Sequence, residues 1–176
     1  MRDIVRPIVN LTIVCLVLAL ALAGANALTA DSIKQTQIRI STEARRELLP
    51  EADDFDLVDL STIEAPEGVT EIAKAKNGAG VIVKTSTKGY GGEVVMMTAF
   101  GSDGNVVACK VLSDEETPGL GKRIENASFL DQYKGQAGPF ELGKNVQKLA
   151  GASISSRAAT TSVNAAVEAY NLVKEG

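Results

Sequence analysis

Two short runs hold the residue types and spacing that chemistry at a bound ligand needs. The first is Glu116-Thr117-Pro118-Gly119-Leu120-Gly121. Proline fixes one turn, the two glycines let a ligand or another backbone approach closely, and Thr117 and Glu116 add a hydroxyl and an acceptor. By composition alone the same run is an ordinary turn between a sheet and a helix. It is not a phosphate-binding P-loop, because Gly121-Lys122 is followed by Arg123 and the upstream glycine is missing. The second run is Ala150-Gly151-Ala152-Ser153, directly before Ile154-Ser155-Ser156-Arg157 and a helical pattern. Small residues leave room there, and Ser153 stands beside the unpaired amides of a helix start, near those of Ser155 and Ser156. Free N–H groups and the positive end of the helix dipole favour an anion. A plain N-cap role for Ser153 or Ser155 accounts for the same residues. A nucleophile elbow does not, since Gly151-Ala152-Ser153-Ile154-Ser155 lacks the final glycine and the chain has no histidine.

That missing histidine narrows the chemistry further. It excludes a Ser-His-Asp triad, imidazole-ligated zinc and a histidine general base. Two cysteines cannot hold a four-thiolate iron–sulfur cluster or form a disulfide framework. Four phenylalanines, three tyrosines, no tryptophan and an excess of 22 acidic over 18 basic residues argue against a nucleic-acid groove. With 45% apolar residues among 176, the chain is not disordered and has material for one domain plus an appended segment. Redox or transfer chemistry must therefore come with a cofactor.

The elements that would position the two runs begin at a membrane. Residues 7–30 carry no charge. As a helix they would span about 36 Å, more than a hydrocarbon core of about 30 Å. A cleaved signal peptide is the alternative, with Ala21-Leu22-Ala23 or Ala25-Asn26-Ala27 as its cleavage site. Arg2 and Arg6 against Asp3 keep the amino end in the cytoplasm and put the remainder, with a net charge of −5, on the extracytoplasmic side. Cys15 falls in the bilayer and Cys109 in the domain, so the two do not pair. Residues 31–49 read as a helix stopped by Pro50, which makes 1–30 an anchor, 31–50 a helical stalk and 51–176 the exported domain.

Within that domain, residues 55–60, 72–76, 80–85, 93–100 and 105–112 are strand candidates, and Gly89-Tyr90-Gly91-Gly92 is a break. Asp103-Gly104 supplies the positive φ angles of a tight hairpin between the last two strands. A short helix is expected over 124–133, then a loop over 136–149 with room for one strand. The last helix, 155–174, carries the apolar stripe Val163, Ala166, Val167, Tyr170 and Val173. Strands followed by helices give an α+β class: an antiparallel sheet with flanking helices, behind a single transmembrane helix and stalk.

Taken in order behind one membrane helix, these features resemble the FMN-binding domain found in the G subunit of the Rnf electron-transport complex. The C subunit of the sodium-translocating NADH:quinone reductase has a similar domain. The resemblance covers roughly the whole chain. It rests on Gly89-Tyr90-Gly91-Gly92, the Asp103-Gly104 hairpin, Val111-Leu112-Ser113, the run 116–121, Phe129-Leu130-Asp131-Gln132-Tyr133 and the Gly151 region. It implies FMN joined by a phosphoester to the last residue of a Ser-Gly-Ala-Thr segment by an ApbE-type flavin transferase. The matching residues are Ala150-Gly151-Ala152-Ser153, so Ser153 is the implied acceptor. Ala150 and Ser153 depart from the family pattern, as does Asp114 where the family often has histidine. The resemblance further implies that residues 117–121 lie along the flavin ring and that Ser155 and Ser156 lie near the phosphate, with Arg157 either adding a charge-assisted contact there or facing solvent. The implied function is electron transfer within a membrane-bound ferredoxin:NAD oxidoreductase that moves Na⁺ or H⁺, beside the other Rnf subunits. Alternatives are a membrane-anchored scaffold without flavin and an FMN carrier for another exported reductase.

Overall fold

The computed structural model describes the backbone of residues 2–175 and the side chains of residues 6–174. Its compact units are Met1–Ile40 and Ser41–Gly176.

In the first unit, helix α1 (Arg2–Leu48) runs from the start through residue 40 and on into the second. Leu11, Leu16, Leu20 and Leu22 are all exposed, and the most apolar 18-residue window has a mean hydropathy of 2.5. The helix is long and apolar enough to cross a membrane. The Thr12 and Thr29 hydroxyls donate back to the carbonyls of Ile8 and Ala25, so these polar groups find partners inside the helix, as a lipid environment demands. The side chains of Arg2 and Asp3, on which the expected orientation depends, lie outside the described residues.

The second unit is built on a five-stranded antiparallel sheet in sequential order: β1 (Phe55–Leu57), β2 (Val69–Ala75), β3 (Gly80–Lys88), β4 (Glu93–Gly101) and β5 (Val106–Asp114). Alternation sorts the side chains onto two faces. Ile72, Val83, Val94, Met96, Phe100 and Val106 pack against helix α3 (Ser153–Glu175) through Ala159, Val163, Ala166 and Tyr170. The other face presents Ala73, Ala75, Ile82, Met97 and Ala99 to Ala44, Leu48 and Leu49 at the end of α1. Small residues on this face let the helix approach, and an ion pair from Arg45 to Glu71 at 2.6 Å fixes it. Being covered on both faces explains why β4 is apolar from Val94 to Phe100 except at Thr98.

Several boundaries differ from expectation for local reasons. β1 ends at Leu57 because the Asp59 side chain accepts the Ser61 N–H at 2.9 Å and starts a 3₁₀ turn over Leu60–Thr62. The β4–β5 connection is longer than a two-residue hairpin, and of Asp103 and Gly104 only Gly104 takes a positive φ, +88°. The segment expected as one helix over 124–133 is a 3₁₀ turn (Gly121–Glu125), the single-turn helix α2 (Ala127–Leu130) and another 3₁₀ turn (Asp131–Tyr133). Residues 136–149 form no strand, only a bridge between Leu142 and Val146. Asn164 of α3 holds this loop by bonding the Phe140 N–H and carbonyl at 2.8 and 2.9 Å. Finally, α3 starts at Ser153, two residues earlier than the apolar periodicity suggests.

Candidate functional site

The meander and α3 bring the two runs to one place. β5 ends at Asp114, and the next residues turn back over the end of the sheet towards the start of α3. There a cavity of about 400 Å³ is walled by Glu116, Thr117, Leu120 and Gly121 from the first run and by Gly151, Ala152 and Ser153 from the second. Ser155, Ile154 and Tyr90 complete it. Leu120, Ile154 and Tyr90 are 44%, 50% and 70% exposed, an apolar and aromatic rim around a cavity with a buried carboxylate in its wall.

Of the residues singled out in sequence, Pro118, Gly119 and Ser156 do not line the cavity. Gly119 has a φ of +74° and open space where a Cβ would stand. The Thr117 carbonyl accepts the N–H of both Leu120 and Lys122, so those two amides serve the turn rather than a ligand. Ser156 is buried: its N–H and hydroxyl both donate to the Ala152 carbonyl, and the hydroxyl accepts the Leu149 N–H. Because the helix begins at Ser153, the amides without an intrahelical acceptor are those of Ser153, Ile154 and Ser155, not that of Ser156. Gly151, with a φ of +79°, makes the sharp entry into this turn and packs on Leu120.

Ser153 is exposed and borders a second, more polar cavity of about 470 Å³ that includes Lys148, Arg157, Thr161 and Asn164. Arg157 therefore belongs to this second cavity and not to the one walled by the first run. Sequence reasoning did not single out Tyr90, Ile154 or Lys148 as site residues. The glycines around Tyr90 read as a break between strands, and a lone isoleucine or lysine carries no signal of its own.

Charge near the site is concentrated at Asp114, whose side chain is 1% exposed. Its Oδ1 accepts the Glu116 N–H at 2.8 Å, and Lys122 Nζ stands 3.5 Å from Asp114 and from Glu125. Burial raises the Asp114 pKa, but hydrogen bonding from Glu125 and Glu116 and the charge of Lys122 outweigh it and leave the carboxyl below its ordinary range. Glu125 is pushed up, first by the neighbouring Asp114 carboxyl and then by burial. Asp114 Oδ2 is buried without a hydrogen-bond partner among the described residues. Elsewhere, burial pushes the Cys109 thiol up to about 12 and makes it unreactive. Among the described residues, no three His, Cys, Asp or Glu side chains are grouped to hold a metal ion.

Residues 89–168, which include both runs and Tyr90, match the family of the FMN-binding domain. The chain is 34% identical to the G subunit of the Na⁺-translocating ferredoxin:NAD⁺ oxidoreductase complex of Acetobacterium woodii, over 93% of this chain and 90% of the relative. It is 32% identical to the G subunit of the proton-translocating ferredoxin:NAD⁺ oxidoreductase complex of Clostridium ljungdahlii, over 90% and 87%. The G subunit of the ion-translocating oxidoreductase complex of Methanosarcina acetivorans is 29% identical over 99% and 98%.

Proposed function

The chain belongs to the family of G subunits of Rnf-type ion-translocating oxidoreductase complexes, and from that premise we propose how its residues do the work. It is an electron-transfer subunit of a membrane redox-driven ion pump, a ferredoxin:NAD oxidoreductase, and FMN is its cofactor. We assign Ser153 as the residue that carries FMN, through a phosphoester. The observation that carries this assignment is that the two separated runs wall one cavity with Ser153 at its edge.

The residues present fit the group. A cavity of about 400 Å³ is within the size of small-ligand sites, about 300–1,000 Å³. Leu120, Gly121, Ala152 and Ile154 offer apolar contact to a flat ring, and Thr117 contributes a hydroxyl at the edge. The free amides of Ser153, Ile154 and Ser155 stabilise phosphate charge at the helix start. Pro118 and Gly119 shape the turn, Gly151 sets the helix entry, and Ser156 locks that entry from the buried side. FMN supplies the redox chemistry when bound, and the protein's share is to hold it, orient it and tune its electronics.

An ApbE-type flavin transferase is the maturation partner, and the other Rnf subunits are the working partners. Residues 1–30 anchor the chain, 31–50 form the stalk and 51–176 the FMN domain, which stands on the extracytoplasmic side.

The test is complementation. Membranes lacking this subunit are supplied with the wild-type chain or with Ser153→Ala, and ferredoxin-dependent NAD⁺ reduction is measured. The wild type restores the rate and Ser153→Ala falls at least about tenfold short. Equal rates for the two proteins would remove Ser153 from the electron path.

A further inference from the structure

Glu116 is 2% exposed, yet among the described residues no cation forms an ion pair with its carboxylate. The residue is held by hydrogen bonds from three directions. The Tyr90 N–H donates to Oε1 at 2.7 Å, the Ser155 hydroxyl donates to Oε2 at 2.8 Å, and the residue's own N–H donates to Asp114 Oδ1 at 2.8 Å. The backbone is shaped around it. A Cβ at Gly89 would overlap Oε1 and a Cβ at Gly121 would overlap Oε2. Two glycines on different segments thus leave the room that the Glu116 side-chain head occupies.

The three segments meeting there are the loop at Tyr90, the run 116–121 and the first turn of α3, two residues from Ser153. We propose that Glu116 is a positioning residue: its carboxylate ties Tyr90 to Ser155 and so sets where the Ser153 hydroxyl stands relative to the loop 116–121. Its importance for flavin rests on the assignment of Ser153 above, but the clamp itself does not. The chemistry distinguishes shape from charge. In Glu116→Gln the amide carbonyl accepts the Tyr90 N–H, and the amide NH₂ donates to Ser155, whose hydroxyl turns from donor to acceptor. Glu116→Ala leaves both donors without an acceptor.

The experiment uses the full chain in membranes, coexpressed with a flavin transferase. Flavin per folded protein is read from in-gel fluorescence, and amide exchange at residues 89–92 is read by mass spectrometry. Exchange is repeated in a Ser153→Ala background, so that it reports the clamp without flavin. Glu116→Ala should lower flavin per folded protein at least about fivefold and speed exchange at Tyr90 at least about tenfold, with β3 and β4 unchanged. Glu116→Gln should recover both to within about twofold of wild type. Ser155→Ala, which removes one arm with less loss of stability, should change both in the same direction as alanine at 116.

Normal exchange in Glu116→Ala would overturn the proposal, whatever happens to flavin. So would a Glu116→Gln protein as impaired as the alanine variant, because charge rather than geometry would then be required. Flavin loading unchanged in Glu116→Ala despite faster exchange would also overturn it. A wild type without covalent flavin would instead refute the Ser153 assignment and leave the exchange measurements to decide the clamp.

Discussion

The Ser155 hydroxyl donates to a buried carboxylate, whereas Ser153 is exposed at the mouth of the cavity, so alanine at each position separates two roles. Ser153→Ala should remove covalent flavin and leave the thermal midpoint within about 1 °C of wild type made without the transferase, since an exposed hydroxyl contributes little stability. Ser155→Ala removes a hydrogen bond to a charged group, worth about 1.5–3 kcal/mol. Its melting temperature should fall by roughly 4–8 °C, measured by calorimetry on protein of matched flavin content. The Asp114–Glu125 pair makes a pH-dependent prediction. The lowered Asp114 pKa contributes stability above the ordinary aspartate pKa, and this is lost as pH falls through the folded value. The raised Glu125 pKa works in the opposite sense: it contributes stability below the ordinary glutamate pKa, lost as pH rises through the folded value. Glu125→Gln keeps a neutral donor to Asp114 at every pH. It should therefore melt higher than wild type at pH 7, by about 1–2 °C because Glu125 is partly exposed, and no higher at pH 4. A stability gain that is the same at both pH values would contradict the raised Glu125 pKa.

At the scale of elements, the end of α1 is part of the domain rather than only a stalk. Leu48 and Leu49 are 5% and 3% exposed because they cover the second face of the sheet. Burying two leucines is worth about 3–6 kcal/mol, comparable to the whole stability of a small domain, about 5–15 kcal/mol. A soluble fragment beginning at residue 41 should therefore fold, and one beginning at residue 51 should bind a dye for exposed apolar surface and lose its cooperative melt. Equal melts would contradict this packing. The sequence makes β3, β4, their hairpin to β5 and the stripe of α3 legible, because alternation and a three-to-four-residue repeat are strong local signals. It does not reveal that residues 44–49 pack on the sheet. The same apolar residues would suit a free amphipathic stalk, and the contact is made with strands far along the chain. Residues 121–133 mislead for a related reason: Phe129, Leu130 and Tyr133 are spaced as in a helix, but tight turns bury them equally well. Both site runs are visible as runs. That Glu116 closes on Tyr90 and Ser155 depends on distant backbone and has no local signature.

For the whole molecule, the helix through residues 7–30 and the position of the domain can be tested by thiol chemistry. Cys109 is half-buried with its thiol pushed up towards the protonated form, and Cys15 lies in the apolar stretch, so neither should react readily with an impermeant maleimide. Ser128→Cys puts a thiol on an exposed residue of α2. It should label on intact cells, or on spheroplasts where an outer membrane intervenes, and labelling only after lysis would put the FMN domain in the cytoplasm. An intact amino terminus on the purified protein would exclude cleavage near Ala27. The most direct measurement is the intact mass of the full-length chain purified under denaturing conditions after coexpression with its flavin transferase, followed by fragmentation of the peptide that contains Ser153. The expected result is one added FMN less one water, carried on Ser153 and absent from Ser153→Ala. An unmodified mass, or FMN on any other residue, would contradict the assignment.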